Sequence, residues 1–178
     1  RTNEKQRIKD IQKAHILAPT QKEVNDTLHA INERYLDDYF MAIELGDINT
    51  LQRIESYDLK EPLITSSGVT PQFMAIQHDQ PKVLEYLTTD DEWGLFSNHF
   101  LVQAIKENST KTYSYLLNAK GVDGNKSILM KGSEITPIEV TFENKSKDAF
   151  RFLSMYSVSL EPLTKNIDLN TVNSNAIK

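Results

Sequence analysis

Chemistry in this chain could reside in its histidines, in a carboxylate-rich loop or in one glycine-lysine-serine cluster. The histidines His15, His29, His78 and His99 lack the H-E-x-x-H spacing of a zinc site and fall on different expected elements. They read as surface or loop residues. The stretch Gly121-Val122-Asp123-Gly124-Asn125-Lys126-Ser127 superficially resembles a phosphate loop, but Asn125 breaks the Gly-Lys-Ser adjacency and no buried strand precedes it. Counting Asp123 as position 1 of a calcium loop puts oxygen ligands Asn125, Ser127 and Glu134 at positions 3, 5 and 12. Ile128 then stands where such a loop turns on glycine, and a β-branched residue resists the left-handed backbone needed there. There is no G-x-S-x-G nucleophile elbow, and no cysteine to act as a thiol nucleophile or thiolate ligand. The expectation is a chain with no catalytic residue, no metal and no cofactor.

The elements around these residues belong to a compact chain of 178 residues, 39% hydrophobic, long enough to bury a core. A net charge of −5 and a pI near 5.4 argue against nucleic acid or an anionic membrane as the main partner. No run of apolar residues is long enough for membrane insertion. The start Arg1-Thr2-Asn3-Glu4 has neither an initiator methionine nor a signal-peptide core, which leads us to expect part of a longer protein.

Internal repetition organises the middle of the chain. Phe40, Ala42, Ile43, Leu51 and Ile54 recur 33 positions later as Phe73, Ala75, Ile76, Leu84 and Leu87. The second set recurs a further 66 positions on as Thr141, Phe142, Phe150 and Leu153, and Thr70-Pro71 recurs as Thr136-Pro137. A copy out of strict phase, Ala104, Ile105, Tyr113 and Leu116, lies between them and starts at Phe96-Ser97-Asn98-His99-Phe100. The spacing predicts helix pairs over 36–45 and 48–56, 70–78 and 81–88, 98–107 and 110–118, and 136–144 and 147–155. Thr70 should cap its helix with Pro71 at the first helical position. Alanine at 42, 75 and 104 should let helices approach closely, with Thr141 a tighter fit in the fourth slot. Tyr113 and Phe150, in phase with the repeat, are expected in the core, and Tyr86, Tyr115 and Phe152 share one repeat position.

Before the repeats, Ile8, Ile11 and Ile16 mark a short helix closed by Pro19. Thr20-Gln21-Lys22-Glu23 matches a capping box for a second helix through Val24, Leu28, Ile31 and Tyr35. After them, Asn166 to Lys178 is an asparagine-rich tail.

A turn and two helices repeating at about 33 residues is the ankyrin period, and residues 36–160 resemble the ankyrin-repeat family in about four divergent units. The family's T-P-L-H reads Thr70-Pro71-Gln72-Phe73 and Thr136-Pro137-Ile138-Glu139 here, without its histidine, and the third unit has no Thr-Pro. The resemblance implies an all-α helical solenoid, with residues 1–35 as an N-terminal helical cap and 161–178 as a tail or linker. It implies a non-catalytic, cytoplasmic module that binds another protein. The recognition residues carried over are Glu44, Leu45, Gln77, His78, Lys106, Glu107, Glu143 and Asn144, with loop residues Ser66, Ser67, Val69, Ser133 and Ile135. The alternative is a scaffold region of an enzyme whose catalytic residues lie elsewhere. The 15 lysines against 5 arginines, with 15 isoleucines and 13 asparagines, are what AT-rich coding tends to produce, and divergent ankyrin units in such a background resemble those of secreted effectors of intracellular bacteria, which would place the protein in the host cytoplasm.

Overall fold

The computed structural model describes residues 3–16, 21–57 and 67–164. The expected cap at Thr20, the loop residue Ser66 and the tail from Asn166 lie outside the described residues. The chain divides into two compact units, Arg1–Met74 and Ala75–Lys178.

In the first unit, α1 (Asn3–Ile16) is followed by α2 (Gln21–Leu45) and α3 (Ile48–Glu55). No glycine or proline interrupts residues 21–45, so α2 runs unbroken through position 36, where the repeat pattern placed a helix start. Helix α3 packs on α2 with Leu51 and Ile54 buried, while Tyr39 Oη donates to Glu55 Oε1 at 3.1 Å. Asp47 caps α3, its carboxylate accepting from Thr50 N at 3.1 Å and Thr50 Oγ1 at 2.6 Å.

Helix α4 (Pro71–Gln77) starts as expected, with Thr70 Oγ1 accepting from Phe73 N at 3.2 Å and proline at its first position. It leads into α5 (Pro81–Leu87), α6 (Asp90–Lys106), α7 (Thr110–Asn118), α8 (Pro137–Glu143), α9 (Lys147–Ser154) and the short α10 (Glu161–Thr164). In the second unit α7 packs on α5 and α6, α8 on α6, and α9 and α10 on α8. The core there is built from Ala75, Ile76, Val83, Leu84, Leu101, Val102, Ala104, Ile105, Leu116, Ile138, Val140, Ala149 and Leu153, all essentially without solvent exposure. Thr141 is buried as well, its hydroxyl donating back to Ile138 O at 2.7 Å.

Besides the start expected at 36, three further expectations need correction. Helix α6 begins eight residues before the expected 98, so Phe96 to Phe100 lie inside a helix instead of starting one. The reason is a capping box: Thr89 N donates to Glu92 Oε2 at 2.8 Å and Glu92 N to Thr89 Oγ1 at 3.3 Å. The fold also carries a small antiparallel hairpin, β1 (Ile128–Met130) with β2 (Ser133–Ile135), which helical periodicity did not foresee. Its two-residue loop, Lys131 (φ 49°) and Gly132 (φ 80°), has both residues left-handed, the combination whose twist matches paired strands. Finally, Phe150 is only half-buried although the repeat phase placed it in the core.

Candidate functional site

Four turns repeat one backbone conformation. Each opens with a residue at positive φ, namely Gly46 (74°), Asp79 (53°), Asn108 (55°) and Lys145 (54°), at spacings of 33, 29 and 37 residues. The residue after each donates its N–H five positions back, Asp47 to Ala42, Gln80 to Ala75, Ser109 to Ala104 and Ser146 to Thr141, at 2.8 to 2.9 Å. These acceptors are the alanine positions of the sequence repeat and their threonine counterpart. A small, buried residue there brings the turn onto the end of the first helix of each pair.

Side chains tie consecutive turns together in the second unit. The Asp79 carboxylate accepts from Thr112 N at 2.8 Å, Thr112 Oγ1 at 2.9 Å and Lys111 N at 3.2 Å, while Ser109 Oγ donates to Ile76 O. Both links join residues about one repeat apart. Sequence reasoning missed Asp79, and the available signal was an aspartate at a turn position that holds glycine and asparagine, residues tolerant of positive φ, in two of the other three turns and Lys145 in the last.

Eight of the expected recognition residues lie at or just past the C-terminal end of a first helix. In the first unit Glu44 and Leu45 end α2 and are exposed, as is Ser67, with Val69 half-buried. In the second unit Gln77 ends α4 with His78 after it, Lys106 ends α6 before Glu107, and Glu143 ends α8 before Asn144; all are exposed. The structure does not gather every member. Ser133 and Ile135 sit on β2, before the start of α8, separated from Glu143 and Asn144 by a helix roughly 10 Å long. The charges of the second-unit row are mixed, Lys106 against Glu107 and Glu143.

The loop that counts as a calcium ligand set is used differently. Asp123 Oδ1 accepts from Asn125 N at 2.9 Å, Asn125 Oδ1 accepts from Ser159 N at 2.8 Å, and Glu134 sits on β2 opposite Leu129. Buried Asn98 donates to Asp123 O at 2.8 Å, fastening this loop to α6. Among the described residues no three histidine, aspartate or glutamate side chains group as a metal site. No described helix is long and apolar enough to cross a membrane.

Two further features escaped the sequence reading. On α6, Trp93 stacks edge-on to Phe100 at 5.6 Å and Lys120 Nζ lies 4.5 Å over its ring, while the same ammonium pairs with Glu85 at 3.6 Å. Close by in sequence, Tyr115 is pushed up to about 12, chiefly by burial and then by the Glu85 carboxylate. Burial likewise raises Tyr113, with Asp148 and Asp79 adding to it. The second feature is an open apolar groove of about 850 Å³ on the fourth helix pair, lined by Phe142, Phe150 and Leu163 with Lys145, Lys147 and Arg151.

No protein-family model matches the chain, and no curated protein or solved structure matches it either.

Proposed function

We propose that the chain is a non-catalytic protein–protein interaction module, an ankyrin-like helical solenoid that meets its partner through first-helix ends: Glu44 and Leu45 in the first unit, and Gln77, His78, Lys106, Glu107, Glu143 and Asn144 in the second. The observation that carries this reading is the repeated turn: one backbone conformation, with one hydrogen-bond pattern, returns where the residue repeat places it. Repetition of a unit that presents the same exposed position each time makes an extended, variable surface suited to a protein partner. Lysine, glutamate, histidine and glutamine at these positions favour a partner with both charged and polar groups. The cytoplasm, and the host cytoplasm for a secreted effector, suits a cysteine-free chain of this kind.

Paired substitution tests the reading. Bait carrying His78→Ala with Glu107→Ala should lose a protein captured by wild type and confirmed with purified components, while Lys82→Ala, exposed on α5, should keep it. All three should show the same helical circular dichroism. Equal recovery by all three baits would remove these helix ends from recognition.

A further inference from the structure

The groove on the fourth helix pair occupies a place that is closed in the other three pairs. Ile43, Ile76 and Ile105 are at most 1% exposed, whereas their counterpart Phe142 is 70% exposed. Leu51, Leu84 and Tyr113 are buried, whereas their counterpart Phe150 is half-buried and lines the groove. Two aromatic rings therefore stand where the other pairs hold packed core. Every charged residue lining the groove is cationic: Lys145, Lys147 and Arg151. None of the three has an acidic partner among the described residues.

A surface of opposite character exists on α2. Met41 (59% exposed) and Leu45 (71% exposed) lie one helical turn apart on the same face, and Asp37 lies one turn before Met41. Between Tyr35 and Thr50 every charged residue is acidic, namely Asp37, Asp38, Glu44 and Asp47. This is an apolar ridge flanked by carboxylates, and the groove is an apolar furrow flanked by cations.

We propose that the groove of one copy receives the Met41–Leu45 ridge of α2 from a second copy, with Asp37 and Asp38 facing Lys147 and Arg151. Two different patches meet in this contact, so each copy offers both a groove and a ridge. It shares Leu45 with the recognition residues proposed above but uses neither His78 nor Glu107, so the variants that test the two proposals are separate.

Sedimentation velocity and light scattering on the whole chain test it. The weight-average mass should rise above 20.4 kDa with concentration, and raising salt from about 0.05 to 0.5 M should weaken association roughly tenfold by screening. The double variant Lys147→Glu with Arg151→Glu, and separately Asp37→Lys with Asp38→Lys, should each stay monomeric because their two faces now repel. An equimolar mixture of the two variants should associate again, since each groove then meets an α2 of opposite charge. These residues are exposed, and unchanged circular dichroism and melting would show that the variants remain folded. A wild type that stays monomeric at millimolar concentration overturns the proposal and leaves the groove to a helix of another protein. Variants that associate as wild type does, or a mixture that fails to associate, overturn it as well.

Discussion

Asp79 concentrates three acceptor bonds on one partly buried carboxylate, so it is the residue whose loss should be felt most among the turn residues. Asp79→Ala leaves Thr112 N and its hydroxyl without an acceptor and places a Cβ residue with no compensating side chain at positive φ. Urea unfolding should show a loss of about 2 to 3 kcal/mol, with Asp79→Asn costing less, since asparagine tolerates this backbone and still accepts. Tyr115 provides a contrasting case. Its hydroxyl is buried near the Glu85 carboxylate without hydrogen-bond geometry to it, and burial first, then that carboxylate, pushes its pKa up to about 12. A tyrosine raised in the folded state favours folding fully below the unfolded value near 10. That contribution is lost as pH rises through 10 to 12. Beside the raised Tyr113, ultraviolet titration should therefore show a tyrosine ionising near 12 that disappears in Tyr115→Phe, and the variant should be no less stable at neutral pH. Loss of the late transition in wild type would show that the phenol is solvated.

Among the elements, α6 departs most from what the repeat suggested, and local chemistry explains it. Thr89-Asp90-Asp91-Glu92 is a helix-start signal readable from sequence, though it opens the helix eight residues ahead of the position that the repeat phase assigns to the start. The extension carries Gly94 in a helical, exposed position where an added Cβ would meet nothing within 4 Å. Gly94→Ala should stabilise the protein by about 0.5 to 1 kcal/mol, and Thr89→Ala should cost about 1 kcal/mol, both read by thermal melting. Opposite shifts would mean that the extension is not helical in solution. The hairpin was less legible, because two strands of three residues are too short to show a period of two. Helix α2 was misread in the other direction: the repeat register suggested a start at 36 where no breaker exists.

Across the whole molecule, the repeat register depends on close packing at the alanine positions, which are fully buried at 75 and 104. Ala104→Leu should overpack α6 and destabilise by about 1 to 3 kcal/mol, while Leu116→Ala should open a cavity costing about 2 to 5 kcal/mol. Melting temperatures unchanged in both variants would place these residues outside the core. Gly124 is a further close approach, since a Cβ there would lie 2.9 Å from Val158 Cγ2. No feature of the local sequence announces that contact, because Val158 arrives from beyond α9.

The sequence by itself located helices at α3, α4, α5, α7, α8 and α9, because small and apolar positions recur there at helical spacing. It also placed the exposed helix ends, since polar residues follow each small-apolar pair. Only the tertiary structure decided burial at equivalent positions. Phe142 and Ile105 occupy the same slot in their own helices, yet one is open and the other closed. Their difference lies in what packs against them from another part of the fold, and a residue's own sequence neighbourhood carries no record of that contact. The same reason hid the Asp79 link to Thr112, two residues that only packing brings together.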